Sequence, residues 1–358
     1  MDTDFIVIGG GIAGVSVGAR LSELGRVALV EAESGLGYHA SGRSAALFDM
    51  CLGAPPIVAL NRASHAEHAA MGGLSGRGLM VVGRAEDAVA FERDLAHMAL
   101  ERLSPEEARA RMPVLNPETV AFAGFNAEAW DLDTDRLIQA QAREIRGNGG
   151  TVTTGARVTA IARVATGWRV ETAKGPVEGR ILVNAAGPWV DAVARMAGVA
   201  PLGFTPMRRS MARLPAPGGH DLRGWPMVVG AGERWYCKPD AGKLLVSPAE
   251  EDPMAPHDAF TDDMVPAEGL ARYEKMVTEP VTRVETNWAG LRTFAPDRLL
   301  VTGFDPAESA FFWQAGQGGV GFQTAPAASR LAADLVAGQA PGIGAELAAA
   351  FSPGRFAR

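Results

Sequence analysis

Four consecutive apolar residues, Phe5-Ile6-Val7-Ile8, run directly into glycines at 9, 11 and 14, with Gly18 one helical turn further on. A second apolar run, Val27-Ala28-Leu29-Val30, ends at an acid, Glu31. Short apolar runs beside glycine read as buried strands, and the stretch between these two is long enough for a helix. The pattern predicts strand, turn, helix and strand over residues 4–31. Further along, apolar spacing predicts helices over 56–72, 86–100, 105–112, 133–148, 266–277 and 322–337. It predicts strands at 79–83, 157–161, 168–172, 180–184, 299–303 and 311–315. Ser104 and Glu107 have capping-box spacing, and Asp133 or Thr134 is the expected cap of the 133–148 helix. Residues 35–53 show neither period and read as a loop of small residues. Residues 206–249 alternate short strands with turns, and 250–270 is an acidic, proline-bearing loop.

The end of the chain repeats its beginning. A strand at 311–315 meets the glycine turn Gly316-Gln317-Gly318-Gly319-Val320-Gly321, and a long helix follows. A third strand ends at Asn184-Ala185-Ala186-Gly187. The predicted class is therefore α/β, with a Rossmann-like unit assembled from 1–72, 134–190 and 287–358. The remaining segments, 73–133 and 191–286, predict an α+β substrate unit around a mostly antiparallel sheet. Ligands bind beyond the carboxyl ends of parallel strands, where the glycine turns would meet.

The first turn has a specific use. Gly9, Gly11 and Gly14 permit a tight turn and a close approach of backbone to phosphate. The helix N-terminus at Ile12 and Ala13 offers free N–H groups to an anion. Glu31, seventeen residues beyond Gly14, is placed to accept bonds from ribose hydroxyls, and its charge disfavours a 2′-phosphate. The expected ligand is a dinucleotide.

Composition narrows the class. The chain has 358 residues, 47% apolar and 21% charged, as a soluble globular protein does. A net charge of −7 argues against a nucleic-acid surface and against anionic membranes. Cys51 and Cys237 form neither a metal-ligand spacing nor a disulfide framework, and two free thiols fit a cytoplasmic protein. The six histidines are scattered, and His65 with His68 reads as a solvated helix face. No metal site and no stable membrane insertion are expected.

Several segments together resemble the FAD-dependent D-amino-acid oxidase superfamily, which includes glycine and sarcosine oxidases. They are Gly37-Tyr38-His39, Ser41-Gly42-Arg43-Ser44-Ala45-Ala46, Val183-Asn184-Ala185-Ala186-Gly187, Met207-Arg208-Arg209-Ser210, Tyr236-Cys237-Lys238-Pro239-Asp240-Ala241-Gly242, Trp288-Ala289-Gly290-Leu291-Arg292 and Gln317-Gly318-Gly319-Val320-Gly321. The nearest resemblance is to the bacterial D-arginine dehydrogenase group. It implies an FAD-binding unit of the glutathione-reductase type. The first turn (Gly9, Gly11, Ile12, Ala13, Gly14) would hold the pyrophosphate, with Glu31 and Ala32 at the ribose and Val158 beside the adenine. His39 and the loop Ser41, Gly42, Arg43, Ser44, Ala45 and Ala46 would border the flavin, with Ala186, Gly187 and Trp189. Gly318, Gly319, Val320, Gly321, Phe322 and Gln323 would lie near its pyrimidine edge, where N–H groups and the helix dipole favour negative charge.

The resemblance also implies a reaction. Arg292 would pair with a substrate carboxylate through two parallel charge-assisted bonds and also touch the cofactor. Tyr236 would donate a further bond, Arg209 is a weaker candidate, and Gly319 lies at the same end. With no strong base evident, an amine that binds neutral would pass hydride from Cα to flavin N5. The imine would then hydrolyse to a 2-oxo acid and ammonia. Departures from the D-arginine pattern bear on the side chain: Leu47, Leu52 and Leu79 stand where that group has His, Tyr and an acid. An unpaired buried guanidinium costs roughly 3–5 kcal/mol, so a neutral or apolar D-amino acid is the better expectation. Phe48 and Trp235 are possible further walls, and Asp49 or Glu233 could restore a negative partner. Leu245 falls where sarcosine-oxidase-like members carry a lysine, with Lys243 and Lys238 nearby. That favours a dehydrogenase with a quinone or another acceptor over one using O2. Oxidation of a secondary amine or a 2-hydroxy acid, a flavin-binding protein without catalysis, and an NAD dehydrogenase are the competing readings.

Overall fold

A computed structural model describes residues 3–262 and 264–356. Its first sheet has six strands in the order Val301–Phe304, Phe311–Ala315, Ile181–Asn184, Phe5–Ile8, Val27–Val30 and Thr151–Thr153. All neighbours are parallel except the first pair. Period-two alternation sorts the side chains. Phe5 and Val7 face the helices Ile12–Leu21, Thr134–Gly147 and Gly321–Val336. Ile6 and Ile8 face Trp168 and Val170 of a three-stranded sheet formed by Val158–Val164, Gly167–Thr172 and Val177–Gly179. Gly18 is what lets the first helix approach the Thr134–Gly147 helix: a Cβ there would lie 2.9 Å from Ile145 Cδ1. Of the two expected caps of the Thr134–Gly147 helix, Asp133 is used, accepting from the Arg136 N–H at 3.0 Å. The capping box of Ser104 and Glu107 forms.

The second sheet runs Asp252–Pro253, Thr205–Leu214, Lys243–Ser247, Tyr236–Asp240, Met227–Gly230, Leu79–Gly83, Phe122–Asn126 and Glu101–Leu103. Its pairings are antiparallel save Met227–Gly230 on Leu79–Gly83. Thr286–Phe294 pairs with Thr205–Leu214 along its whole length. The strand that carries Arg292 thus lies in the second sheet, although the boundary expected at 287 assigns most of it to the first unit.

Several expectations change. The loop expected over 35–53 contains a 3-10 turn, Ala40–Arg43, and a short strand, Leu47–Asp49, paired with Ala129–Leu132. One of the short strands expected in 206–249 is ten residues long. The helix expected at 266–277 spans Met264–Glu274, because Met276 and Val277 turn into the core of the second unit. His65 and His68 do not share a solvated face: His68 is buried and contacts the Gln323 carbonyl at 3.2 Å.

Candidate active site

The carboxyl ends of the parallel strands, two helix N-termini and one face of the second sheet enclose a cavity of about 390 Å³. At one end the glycines are needed for the backbone itself. Gly9 has φ +112°, and a Cβ there would lie 2.3 Å from the Ala185 carbonyl oxygen. A Cβ on Gly14 would lie 1.9 Å from the Gly9 oxygen. Gly11 differs, since its Cβ would meet nothing closer than Ser41 Oγ at 3.2 Å. The residues before the helices starting at Ile12 and Gly321, Gly11 and Val320, supply no side-chain cap, so both helices present positive dipole ends to the cavity. Ser41 Oγ accepts the Ile12 N–H at 3.0 Å. Glu31 accepts the N–H of Gly10 at 2.6 Å and of Glu33 at 2.7 Å, which fixes the turn around its carboxylate.

Most of the expected residues line this one cavity. From the early segments come Gly9, Gly11, Ile12, Ala13, Glu31 and Ala32, then His39, Ser41, Arg43, Ser44 and Leu47. Val158, Ala186, Gly187 and Trp189 follow, with Gly318, Gly319, Gly321, Phe322 and Gln323 from the last turn. Arg209, Tyr236 and Arg292 close the other end.

Others do not line it, for evident reasons. Gly14 is pressed against the Gly9 carbonyl and Gly42 against that of Gly37. Val320 is the residue before the Gly321–Val336 helix. Ala45 and Ala46 lie behind the wall, and Ala46 has φ +57°. Leu52 sits beyond the short strand, its carbonyl accepting from Asn61 Nδ2 at 2.9 Å. Leu79 is 2% exposed and packs in a core cluster with Tyr236 and Met211. The apolar wall expected from three leucines is therefore Leu47 with Met211. Phe48 and Trp235 are core residues, set edge-on against His68 and Tyr273 respectively. Leu245 packs beside Leu79, and Lys243 is paired with Glu285 at 2.7 Å.

His39 stands between Glu33, at 3.2 Å, and Asp258, at 3.7 Å, against the Trp189 ring. Arg43 is a staple rather than a free ligand donor. Its guanidinium engages Asp258 and donates to the carbonyls of Ala259 and Ala289, each at 2.8 Å.

The far end is cationic. Pairing sets Arg209 beside Gly290 and Met207 beside Arg292, so Arg209, Met211, Gly290 and Arg292 share one sheet face. Arg209 donates to Glu233 at 3.0 Å and to Glu251 at 3.2 Å. Burial works against its charge, but the surrounding negative groups outweigh burial and its pKa is raised. Arg292 is treated differently. Burial and then the neighbouring Arg209 hold its pKa below the ordinary value, and among the described residues no hydrogen bond or carboxylate engages its guanidinium. A Cβ on Gly319 would lie 3.0 Å from Arg292 Nη1, so glycine is what fits there. Among the described residues the hydroxyl of Tyr236 is buried without a hydrogen-bond partner, as are Thr293 Oγ1 and Gln317 Nε2. Buried polar atoms left unpaired are costly, and these three belong to residues that line the cavity.

Met211, Gly290, Thr293 and Gln317 were not singled out in the sequence. Met211 and Gly290 lie two residues from Arg209 and Arg292, so strand alternation would have found them once the strands were known. Glu251, which pairs with Arg209, carried no local signal. Among the described residues no helix is long and apolar enough to cross a membrane, and no cluster of His, Cys, Asp and Glu could hold a metal ion.

A family model described as "DAO: FAD dependent oxidoreductase" matches residues 4–335. FAD-dependent oxidoreductase domain-containing protein 1 of Bos taurus is 26% identical over 310 residues, 72% of this chain and 62% of that protein. L-2-hydroxyglutarate dehydrogenase of Salmonella houtenae is 29% identical over 232 residues, 59% of this chain and 54% of that protein. The chain thus spans less than two thirds of the length of these curated relatives. Glycine oxidase from Geobacillus kaustophilus superimposes with a TM-score of 0.81 at 22% identity, covering 95% of each chain. L-Proline dehydrogenase from P. horikoshii superimposes with a TM-score of 0.83 at 21% identity, covering 99% of this chain and 98% of that one. At such identity the likeness is one of fold.

Proposed function

The chain belongs to the DAO family of FAD-dependent oxidoreductases, and from that membership we propose that it oxidises the carbon beside the carboxylate of a D-amino acid with a neutral or apolar side chain. The observation that carries this reading is the unengaged Arg292 guanidinium next to the unpaired Tyr236 hydroxyl.

The residues present fit FAD. The helix N-terminus at Ile12 suits its pyrophosphate, the one at Gly321 suits a ring edge that gains negative charge on reduction, the Glu31 carboxylate suits a ribose, and small residues leave room for rings. Bound FAD supplies the two-electron oxidant. The chain supplies orientation and charge. Arg292 and Tyr236 hold the carboxylate, which fixes the adjacent carbon relative to the cavity wall. The local charges argue for a neutral amine. Glu233 and Glu251 are taken by Arg209 and Arg298, while Arg292 has no carboxylate in contact among the described residues, so its charge is left for one carboxylate to balance. A cationic side chain is disfavoured, because Glu233 is already taken by Arg209 and the facing wall is Leu47 and Met211. On this reading the substrate side chain differs from that of the D-arginine dehydrogenase group.

A 2-hydroxy acid is the second reading, favoured by the same clamp and by the hydroxy acid in the name of one relative. Anaerobic mixing of the holoprotein with panels of D- and L-amino acids, N-methyl amino acids and 2-hydroxy acids separates the two. Neutral D-amino acids should bleach the visible flavin band with release of ammonia. Bleaching by hydroxy acids alone, or by nothing in the panels, would refute the proposal.

A further inference from the structure

Behind the wall formed by Ser44 and Leu47 lies a buried charge network that the carboxylate clamp does not use. Ala46 holds a left-handed backbone, φ +57°, which a residue with a Cβ rarely adopts. Such strain persists where the surroundings over-determine it. Here they do. The Ala46 N–H donates to Ser44 Oγ at 3.0 Å. The Ala46 carbonyl accepts the Leu132 N–H at 3.0 Å and Lys238 Nζ at 3.3 Å. Lys238 is 3% exposed, on the same sheet face as Tyr236, and register places it opposite Leu245. Its Nζ lies 2.7 Å from Asp131 Oδ1, an ionic contact without hydrogen-bond geometry. Asp131 Oδ2 accepts from Arg77 Nε at 2.8 Å. Register also sets Asp131 opposite Leu47, so the acid, the turn and the cavity wall are one unit. The three side chains sum to one positive charge. A buried ion pair is weak evidence for stability and better evidence for holding one arrangement.

We propose that Lys238 is a positioning residue for the flavin: it locks the strained turn between Ser44 and Leu47 through the Ala46 carbonyl and sets a net positive charge behind the wall. This rests on the reading above that the wall borders the isoalloxazine. A positive charge there favours the reduced, more negative ring, so it raises the reduction potential. Lys238 itself does not line the cavity, so it acts through the turn and through its field.

The test is the midpoint potential of the bound flavin, measured by dithionite titration against a reference dye, with no substrate present. Lys238→Met should lower the potential and weaken FAD binding by about tenfold, the scale of one lost charge-assisted contact. Lys238→Arg should return the potential toward the wild-type value. Asp131→Asn provides a second arm if Lys238→Met does not fold. It removes the negative member, so the potential should rise. Ala46→Gly in the Lys238→Met background should restore FAD retention but not the potential, because glycine takes φ +57° unaided. Wild-type potentials in both Lys238→Met and Asp131→Asn would overturn the inference. Failure of the substrate reading is separate: it appears as a flavin that dithionite reduces and amino acids do not.

Discussion

At position 292 a half-buried cation has no hydrogen-bonded anion among the described residues, and at position 49 an acid is buried with no cation in contact. On the proposed function, the first is the place of a substrate carboxylate. Arg292 could be located from the sequence because a Trp-Ala-Gly-Leu-Arg segment carries it. The pairing of Arg209 with Glu251 could not, because the partners are 42 residues apart and loop geometry brings them together. The second has a consequence for stability. Asp49 is fully buried, Oδ1 accepts the Cys51 N–H at 2.9 Å, and Oδ2 has no partner. Burial pushes its pKa up from 3.8 to about 6. Between those values the folded chain holds a proton that the unfolded chain has lost, so stability falls as pH rises from about 4 to about 6. Above that the full penalty is present, about 3 kcal/mol for a shift of this size. Asp49→Asn should therefore unfold at higher urea than the wild type at pH 8, and the two should converge below about pH 4. A constant difference at both pH values would mean that the carboxyl is not the source.

At the scale of elements, the glycine turn separates two roles that the sequence presents as one motif. Gly14→Ala presses a methyl onto the Gly9 carbonyl, so the first helix must move off the sheet, at a cost of about 1–3 kcal/mol. Gly11→Val asks only that the Ser41 hydroxyl, 3.2 Å from its Cβ, give way by a few tenths of an ångström, but its branches enter the cavity. It should purify folded and colourless, whereas Gly14→Ala should bind FAD with a lowered melting temperature. Circular dichroism melts beside the flavin absorbance of each purified variant check this. The turn was legible because strand, glycines and helix are contiguous in sequence. The Leu47–Asp49 strand was not. Three residues are too few to show a period, and the hydrogen bonds that define it come from Ala129–Leu132, more than 75 residues later. Thr286–Phe294 was misassigned for a related reason: nothing local says which sheet a strand will join.

Over the whole molecule, the cavity draws on segments from both ends of the chain and on the second sheet between them. Three glycine turns, readable separately in the sequence, predicted where the phosphate end would be. The reacting end was less legible. Leu47 reaches it while Leu52 and Leu79 do not, because which leucine faces a cavity depends on strand register and on what packs behind it. The central claim is that this convergence leaves the Arg292 guanidinium free to hold a carboxylate beside FAD. Titration of the holoprotein with an unreactive carboxylate such as 3-methylbutanoate, followed by perturbation of the flavin spectrum, tests it most directly. The wild type should show saturable binding, and Arg292→Met should keep its FAD while its affinity for the carboxylate falls by at least about thirtyfold, the low end of a 2–5 kcal/mol loss. Equal affinity in the two proteins would contradict the account.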